Sequence, residues 1–309
     1  MNGPFHKPKV SISICTYNRA HLLPNAIESV LNQSYKDFEL VIIDNGSSDA
    51  TPEILEHYKA DPRVRIFTVP ENLGCAGGHN YGMDVVQGEW FGAIGDDDLL
   101  LDDALESIMH VPGHIDPEVN AVTANCLLSS NGEFAGKGLD HDQYLNLETI
   151  ISKCSGEFWG LFKHELLGSR RFNEDLPGNE VALWYQIDAI AKRYYIHRPV
   201  RIFCDQGETL TNQNKKINLP RKIQIYKALL QEDFYWKAFK KYQIKRFRMK
   251  CLKGWFFLRL NEDKTRAKAY KKMLLDSHPG PIPQLAMKLL SLFGKKGLEN
   301  ILGIASYLK

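Results

Sequence analysis

Three consecutive carboxylates, Asp96-Asp97-Asp98, terminate the apolar run Trp90-Phe91-Gly92-Ala93-Ile94-Gly95. Like charges this close raise one another's pKa unless a cation or solvent relieves them, and carboxylate oxygens are the hard ligands that Mg²⁺ and Mn²⁺ prefer. The cluster is therefore a candidate metal-diphosphate site. A solvated turn is the alternative, because Asp is common in turns and Asp102 or Asp103 is placed to cap a helix over residues 104–109. The glycine-rich stretch Asn72-Leu73-Gly74-Cys75-Ala76-Gly77-Gly78-His79-Asn80-Tyr81-Gly82 either lets backbone approach a phosphate or lets a helix pack closely on a sheet. Glu180 follows a polar loop and opens an amphipathic stretch that runs to about Lys192. The helix dipole favours a carboxylate there, so capping is the first reading of Glu180 and catalysis the second.

These side chains need a scaffold, and the periodicities supply one. Val10-Ser11-Ile12-Ser13-Ile14-Cys15-Thr16 alternates at period two and is rich in β-branched residues; Phe38-Glu39-Leu40-Val41-Ile42-Ile43 and Val64-Arg65-Ile66-Phe67-Thr68-Val69 are two more apolar runs. Each reads as a strand, and the run into the Asp cluster is a fourth. Helical spacing follows the first strand (Leu23, Ile27, Val30, Leu31), and another helix starts near Thr51-Pro52. Strand-helix alternation repeated four times predicts a parallel, doubly wound α/β sheet. Its cleft collects the strand C-termini, namely Thr16-Tyr17-Asn18-Arg19, Asp44, the glycine-rich loop and the Asp cluster. Residues 120–128 read as a further strand and Asn131-Gly132 as a hairpin turn.

The whole chain of 309 residues carries a formal charge of only +2, but that total hides a division: 16 Lys/Arg stand against 31 Asp/Glu up to Asn214, and 23 against 6 beyond it. Two regions follow, 1–214 and 215–309, the first with a nucleotide-binding half to about residue 110 and an acceptor half beyond. Six scattered cysteines without a C-x-x-C pair point to reduced thiols in a cytosolic compartment rather than to disulfides or zinc. The N-terminus has no apolar signal segment, and no run of about eighteen apolar residues occurs. From Leu219 onward the sequence is basic, aromatic and helical, and Gly280-Pro281-Ile282-Pro283 breaks it before Leu285-Ala286-Met287-Lys288-Leu289-Leu290-Ser291-Leu292-Phe293. Such helices lie on an anionic membrane surface or pack as a helical domain with a solvated basic face. The absence of a recognisable reader motif argues against nucleic acid.

Four stretches together resemble the family-2 glycosyltransferases: Ser13-Ile14-Cys15-Thr16-Tyr17-Asn18-Arg19, Val41-Ile42-Ile43-Asp44-Asn45-Gly46-Ser47-Ser48-Asp49, Asn72-Leu73-Gly74 through Asn80-Tyr81-Gly82, and Gly95-Asp96-Asp97-Asp98. The resemblance implies a GT-A fold, Rossmann-like, with a mostly parallel sheet and flanking helices, to which a basic helical C-terminal region is added. It implies that Thr16 and Tyr17 line the nucleobase and that Asp44 hydrogen-bonds it. Asn18, Arg19, Gly74, His79 and Asn80 complete the nucleotide site, and Asp96 approaches the ribose. Asp97, with Asp98, would hold Mn²⁺ or Mg²⁺, and Glu180 would deprotonate the acceptor hydroxyl with Asp175 as a fallback. Three departures stand out: Gly95 replaces the first acid of the longer D-x-D-D form, His79 stands where relatives carry Arg, and Asn179 replaces the first of two paired acids. The expected activity is metal-dependent inverting transfer from a nucleotide-diphosphate sugar, UDP-linked, to a glycan or lipid-linked acceptor. The enzyme would be cytoplasmic and peripheral on the inner membrane face, in cell-surface polysaccharide synthesis. A catalytically silent nucleotide-sugar binding module and a nucleotidyltransferase are the competing classes.

Overall fold

The computed structural model of the chain describes residues 7–176, 180–206, 219–298 and 300, which fall in two compact units, Met1–Lys215 and Lys216–Lys309. The expected boundary at residues 214 and 215, and Asn179, lie outside the described residues.

In the first unit the apolar runs form β1 (Val10–Thr16), β2 (Phe38–Asp44), β3 (Val64–Thr68) and β4 (Trp90–Gly95). They are connected through α1 (Leu23–Leu31), α2 (Thr51–Glu56) and α3 (Gly74–Val85). The strands pair in parallel in the order β3-β2-β1-β4. β2 is buried along its whole length, as a strand covered on both faces must be. Helix α1 turns Leu23, Ala26, Ile27, Val30 and Leu31 inward onto Ile12, Ile14 and Leu40. Fully burying an aliphatic side chain such as Ile27 contributes about 1.5–3 kcal/mol, so this stripe holds the helix against the sheet.

Beyond β4 the sheet becomes mixed. The chain adds β5 (Leu99–Leu100), α4 (Ala104–His110), β6 (Ala121–Leu128), β7 (Gln143–Leu145), α5 (Leu147–Lys153), β8 (Phe158–Lys163), α6 (Val181–Asp188) and β9 (Arg193–Phe203). β8 lies antiparallel between β4 and β6, β6 pairs parallel with β9, and β5 and β7 run antiparallel to β9. The doubly wound pattern therefore holds for the first half of the sheet. Helix α6 ends at Asp188, four residues short of the expected Lys192, because Arg193 already pairs with Ala121 in β9. The hairpin at Asn131-Gly132 is present, with the Gly132 N–H donating to Leu128 O.

The second unit is helical: α7 (Leu219–Leu229), α8 (Asp233–Tyr242), α9 (Ile244–Leu260), α10 (Lys264–Leu275) and α11 (Pro281–Ser291). Pro281 and Pro283 do not keep the chain out of the helix; they occupy its first turn, where the missing N–H groups cost nothing. The core is aromatic, with Trp236 edge-on to both Phe247 and Tyr270. The polar tips are satisfied: Trp236 Nε1 donates to Leu229 O at 2.6 Å and the Tyr270 hydroxyl to Tyr226 O at 2.7 Å. Among the described residues no helix is long and apolar enough to cross a membrane.

Candidate active site

β2 and β3 lie on one side of β1 and β4 on the other, so the strand order reverses at β1/β4. The crevice outside the carboxyl ends of such strands is where open α/β sheets bind ligands. Register places the site residues there: Thr16 faces Asp44 and Cys15 faces Gly95, so Asp96, the next residue, arrives beside Thr16. Thr16 Oγ1 donates to Asp96 Oδ2 at 2.8 Å. Arg19, from the loop after β1, sets Nη1 2.9 Å from Asp97 Oδ2 and 3.7 Å from Asp96 Oδ1. Thr16, Arg19 and Asp96 border a cleft of about 390 Å³ that Tyr17, Gly74 and Cys75 also line. Burial pushes the Asp96 carboxyl up to about 6, while Arg19 and the Thr16 hydrogen bond pull it down.

The loops are tied to one another before any ligand arrives. Asn18 sits at φ 53°, takes Ser47 Oγ with its N–H at 2.9 Å, and accepts the Ser48 N–H on Oδ1 at 2.7 Å. It therefore fastens the loop after β1 to the loop after β2, and its carbonyl is spent there. Asn45 does the same for the loop before α3, since its Nδ2 donates to Gly74 O at 3.0 Å and its Oδ1 accepts the Leu73 N–H at 3.0 Å. Asp44 accepts the Ser47 N–H on Oδ1 at 3.0 Å, but its buried Oδ2 has no hydrogen-bond partner. A carboxylate oxygen left this way is costly unless a donor completes it.

Three of the expected ligand residues have their side chains engaged elsewhere in this structure. Asp98 turns away from its neighbours toward β9, accepting the Cys204 N–H on Oδ1 at 2.8 Å with Arg201 Nη1 3.5 Å from Oδ2. Burial raises its pKa, and Arg201 opposes that rise. His79 lies outside the cleft with its ring edge-on to Phe172 and its Nδ1 buried, and that burial pushes its pKa down to about 4. It is neutral, which suits it poorly to an anionic diphosphate. Asn80 spends its side chain on the loop before α6: Nδ2 donates to Phe172 O at 3.0 Å and Glu174 Oε1 at 3.1 Å, and Oδ1 accepts the Phe172 N–H at 2.8 Å.

Glu180 immediately precedes α6, yet its side chain makes no capping hydrogen bond. Its charge reaches the cleft instead. Solvent still touches Cys75, but desolvation by the surrounding walls, then the negative charges of Glu180 and Asp96, push its thiol up to about 11 against the pull of Arg19. Asp175, on the same loop, is exposed and donates its N–H to Asn173 Oδ1 at 3.0 Å.

No group of three His, Cys, Asp or Glu side chains converges among the described residues. Asp96 and Asp97 nevertheless share one cation, the Arg19 guanidinium. Two carboxylates completed by substrate phosphate oxygens are the usual surroundings of Mg²⁺, so the residues present fit a divalent ion. Two features were missed from the sequence. The Asn45 latch is an ordinary Asx pattern following a strand. A second cavity of about 300 Å³, lined by Trp159, Trp184, Glu157, Asp188, Arg193 and Arg201, was signalled only by the short aromatic run at 158–163.

Comparison with known proteins places these observations. Residues 11–158 match the family described as Glycosyl transferase family 2. The chain is 38 % identical over 204 residues to a GalNAc(5)-diNAcBac-PP-undecaprenol beta-1,3-glucosyltransferase of Campylobacter jejuni, a match covering 63 % of this chain and 64 % of that relative. An uncharacterized glycosyltransferase of Haemophilus influenzae is 34 % identical over 147 residues, 47 % of this chain and 54 % of the relative. The chain thus spans less than two thirds of the length of either. Among solved structures, S. aureus TarS 1-349 in complex with UDP-GlcNAc superposes with a TM-score of 0.60 at 16 % identity, covering 87 % of this chain and 89 % of that one. The mannosyltransferase PcManGT from Pyrobaculum calidifontis, in complex with GDP-Man and Mn2+, gives 0.54 at 20 % identity over 98 % and 86 %. Both share the fold.

Proposed function

We propose, from the match of residues 11–158 to glycosyl transferase family 2, that this chain is a metal-dependent inverting glycosyltransferase of that family. It moves a sugar from a UDP-linked donor to a hydroxyl of a lipid-linked glycan in cell-surface polysaccharide synthesis. The observation that carries this reading is the meeting of Thr16, Arg19, Asp96 and Asp97 at the β1/β4 crevice, with Glu180 acting on the same cleft. The complexes of TarS with UDP-GlcNAc and of PcManGT with GDP-Man and Mn2+ support the donor class and the ion. The name of the Campylobacter jejuni relative supports a lipid-linked acceptor, and with it a peripheral position on the cytoplasmic face of a membrane.

In this reading Tyr17, 43 % exposed at the cleft, offers its ring to the base. Asp44 Oδ2, buried and without a partner, accepts a base N–H. Asp97, with Asp96, would hold the divalent ion, which would supply positive charge to the leaving diphosphate. Arg19, paired with both carboxylates, would offer its guanidinium to the phosphates, and Asp98 keeps the turn fixed to β9. Glu180 takes the proton of the acceptor hydroxyl as its oxygen attacks the anomeric carbon, and the bond from that carbon to the diphosphate oxygen breaks on the opposite face. The second cavity, with Trp159 and Trp184 beside charged side chains, has the mixture of flat apolar and polar groups that a sugar ring needs, and we assign it to the acceptor half.

Glu180→Gln tests the reading. Sugar transfer in the presence of Mn²⁺ should fall by about 10²–10⁴-fold, while stabilisation by UDP persists. UDP at about a hundred times its dissociation constant should add about 2.7 kcal/mol to the native state. Unchanged turnover would remove Glu180 as the base. Release of pyrophosphate in place of UDP would show a nucleotidyltransferase.

A further inference from the structure

Among the described residues, the second unit carries an exposed apolar stripe. Leu285, Leu289, Leu292 and Phe293 recur at the i, i+4, i+7, i+8 offsets of one helical face on α11 and its C-terminal end, and they are 56, 52, 80 and 44 % exposed. The opposite side is anchored: Met287 is buried, and Arg259 of α9 donates to Leu290 O at 2.9 Å and Phe293 O at 3.0 Å. A helix held on one side with leucines outward on the other departs from the ordinary arrangement, in which the apolar stripe faces the core.

Next to it lies a basic groove of about 740 Å³. Lys264, Lys268, Lys271 and Lys272 line it from α10 at offsets of 0, 4, 7 and 8, while Tyr270 and Leu274 of the same helix are buried. Arg259 lines this groove and also holds the end of α11, so the lysine row of α10 lies beside the anchored side of α11. Lys288 lies on α11, and Lys295 and Lys296 follow it. Among the described residues the carboxylates nearby are few: Asp276 at the groove, Asp263 paired with Arg266, and Glu262 3.9 Å from Lys295.

We propose that this face of the second unit docks onto an anionic lipid bilayer, with Leu285, Leu289, Leu292 and Phe293 entering the boundary between headgroups and acyl chains and the α10 lysines lying over the headgroups. Exposed leucines beside a row of lysines are the two terms that interfacial binding adds together, apolar area and attraction to acidic lipid. The 23 Lys/Arg against 6 Asp/Glu beyond Asn214 complement that surface and would repel a second copy of the same face. This inference rests on the peripheral position proposed above and names the surface that makes it, while its test is independent of the transfer reaction.

Flotation of the full chain with vesicles, without donor or acceptor, tests it. The wild-type chain should float with phosphatidylcholine vesicles containing phosphatidylglycerol, stay behind with phosphatidylcholine alone, and be released by salt. Leu285→Gln/Leu289→Gln/Leu292→Gln changes exposed positions and should weaken binding at least about a hundredfold. Lys268→Gln/Lys271→Gln/Lys272→Gln, at about fivefold per lysine, should weaken it by about a hundredfold. Both variants should melt and sediment like the wild type. Equal flotation of both variants and the wild type would overturn the proposal. So would a wild-type dimer that the leucine variant breaks, because the stripe would then belong to a second copy. Failure here leaves the Glu180→Gln result untouched, and loss of transfer leaves flotation untouched.

Discussion

A histidine held neutral beside a phenylalanine ring has a measurable acid signature. His79 has an ordinary pKa of 6.5, and burial pushes it down to about 4 in the folded chain. Between those values the unfolded chain binds the extra proton and the folded one does not. The stabilising contribution of a neutral His79 is therefore complete above about pH 6.5 and is lost as pH falls through 4. Partial exposure of the ring discounts the full shift, leaving about 2 kcal/mol. His79→Phe keeps the contact with Phe172 and should flatten that limb of the urea midpoint against pH; a limb as steep as the wild type's would show that the proton goes elsewhere. The same residue marks how far the site could be read from the sequence. Thr16, Asp44 and Asp96 are legible because each stands at the end of a period-two or apolar run, where strand register alone brings them side by side. His79, Asn80 and Asp98 are not, since their partners Phe172, Glu174, Arg201 and Cys204 are remote in sequence. Polar residues next to a motif look identical whether they face a ligand or a distant loop.

Helix α3 shows which of two uses its glycines serve. A Cβ on Gly82 would stand 2.4 Å from Ser13 Oγ and 3.5 Å from Ser13 Cβ, so the helix rests directly on β1. Gly74 instead sits at φ 74° with open space about it at the cleft. Close packing and a left-handed turn are both present within nine residues, which is why the sequence could not choose between them. Gly82→Ala gains up to about 1 kcal/mol of helix propensity but overpacks the interface by about 1–3 kcal/mol, so the expected outcome is a net loss near 1 kcal/mol. Ser13 Oγ is buried without a hydrogen-bond partner, so Ser13→Ala removes the clashing atom and sacrifices no bond. The double variant should recover wild-type stability or exceed it in urea unfolding; a double variant no better than Gly82→Ala would place the strain elsewhere. β9 is not among the strands predicted from the sequence. Pro199 argues against a strand interior, but it falls where the β6–β9 register shifts, with Asn125 facing Pro199 and Cys126 facing Arg201. A bulge of this kind re-aims side chains, and here it leaves Arg201 beneath Asp98.

The largest-scale feature is one that counting reveals and patterning cannot arrange. The division of charge, about −15 before Asn214 and about +17 after it, is visible in the sequence. That Leu285, Leu289 and Leu292 face outward is not, because amphipathic spacing says which residues share a face and never which face is covered. The division itself has a consequence in solution that a net charge of +2 conceals. At neutral pH a chain with so small a total, evenly mixed, would pass an ion exchanger of either sign. With its charges segregated along the sequence, each pool can meet a resin within one Debye length, about 30 Å at 0.01 M salt and 3 Å at 1 M. The full chain should therefore be retained at low salt on both a cation and an anion exchanger, and its release from the cation exchanger should need far more salt than its net charge suggests. Passage straight through the cation exchanger would mean that the two pools neutralise each other, leaving no basic field to draw the second unit to an acidic surface.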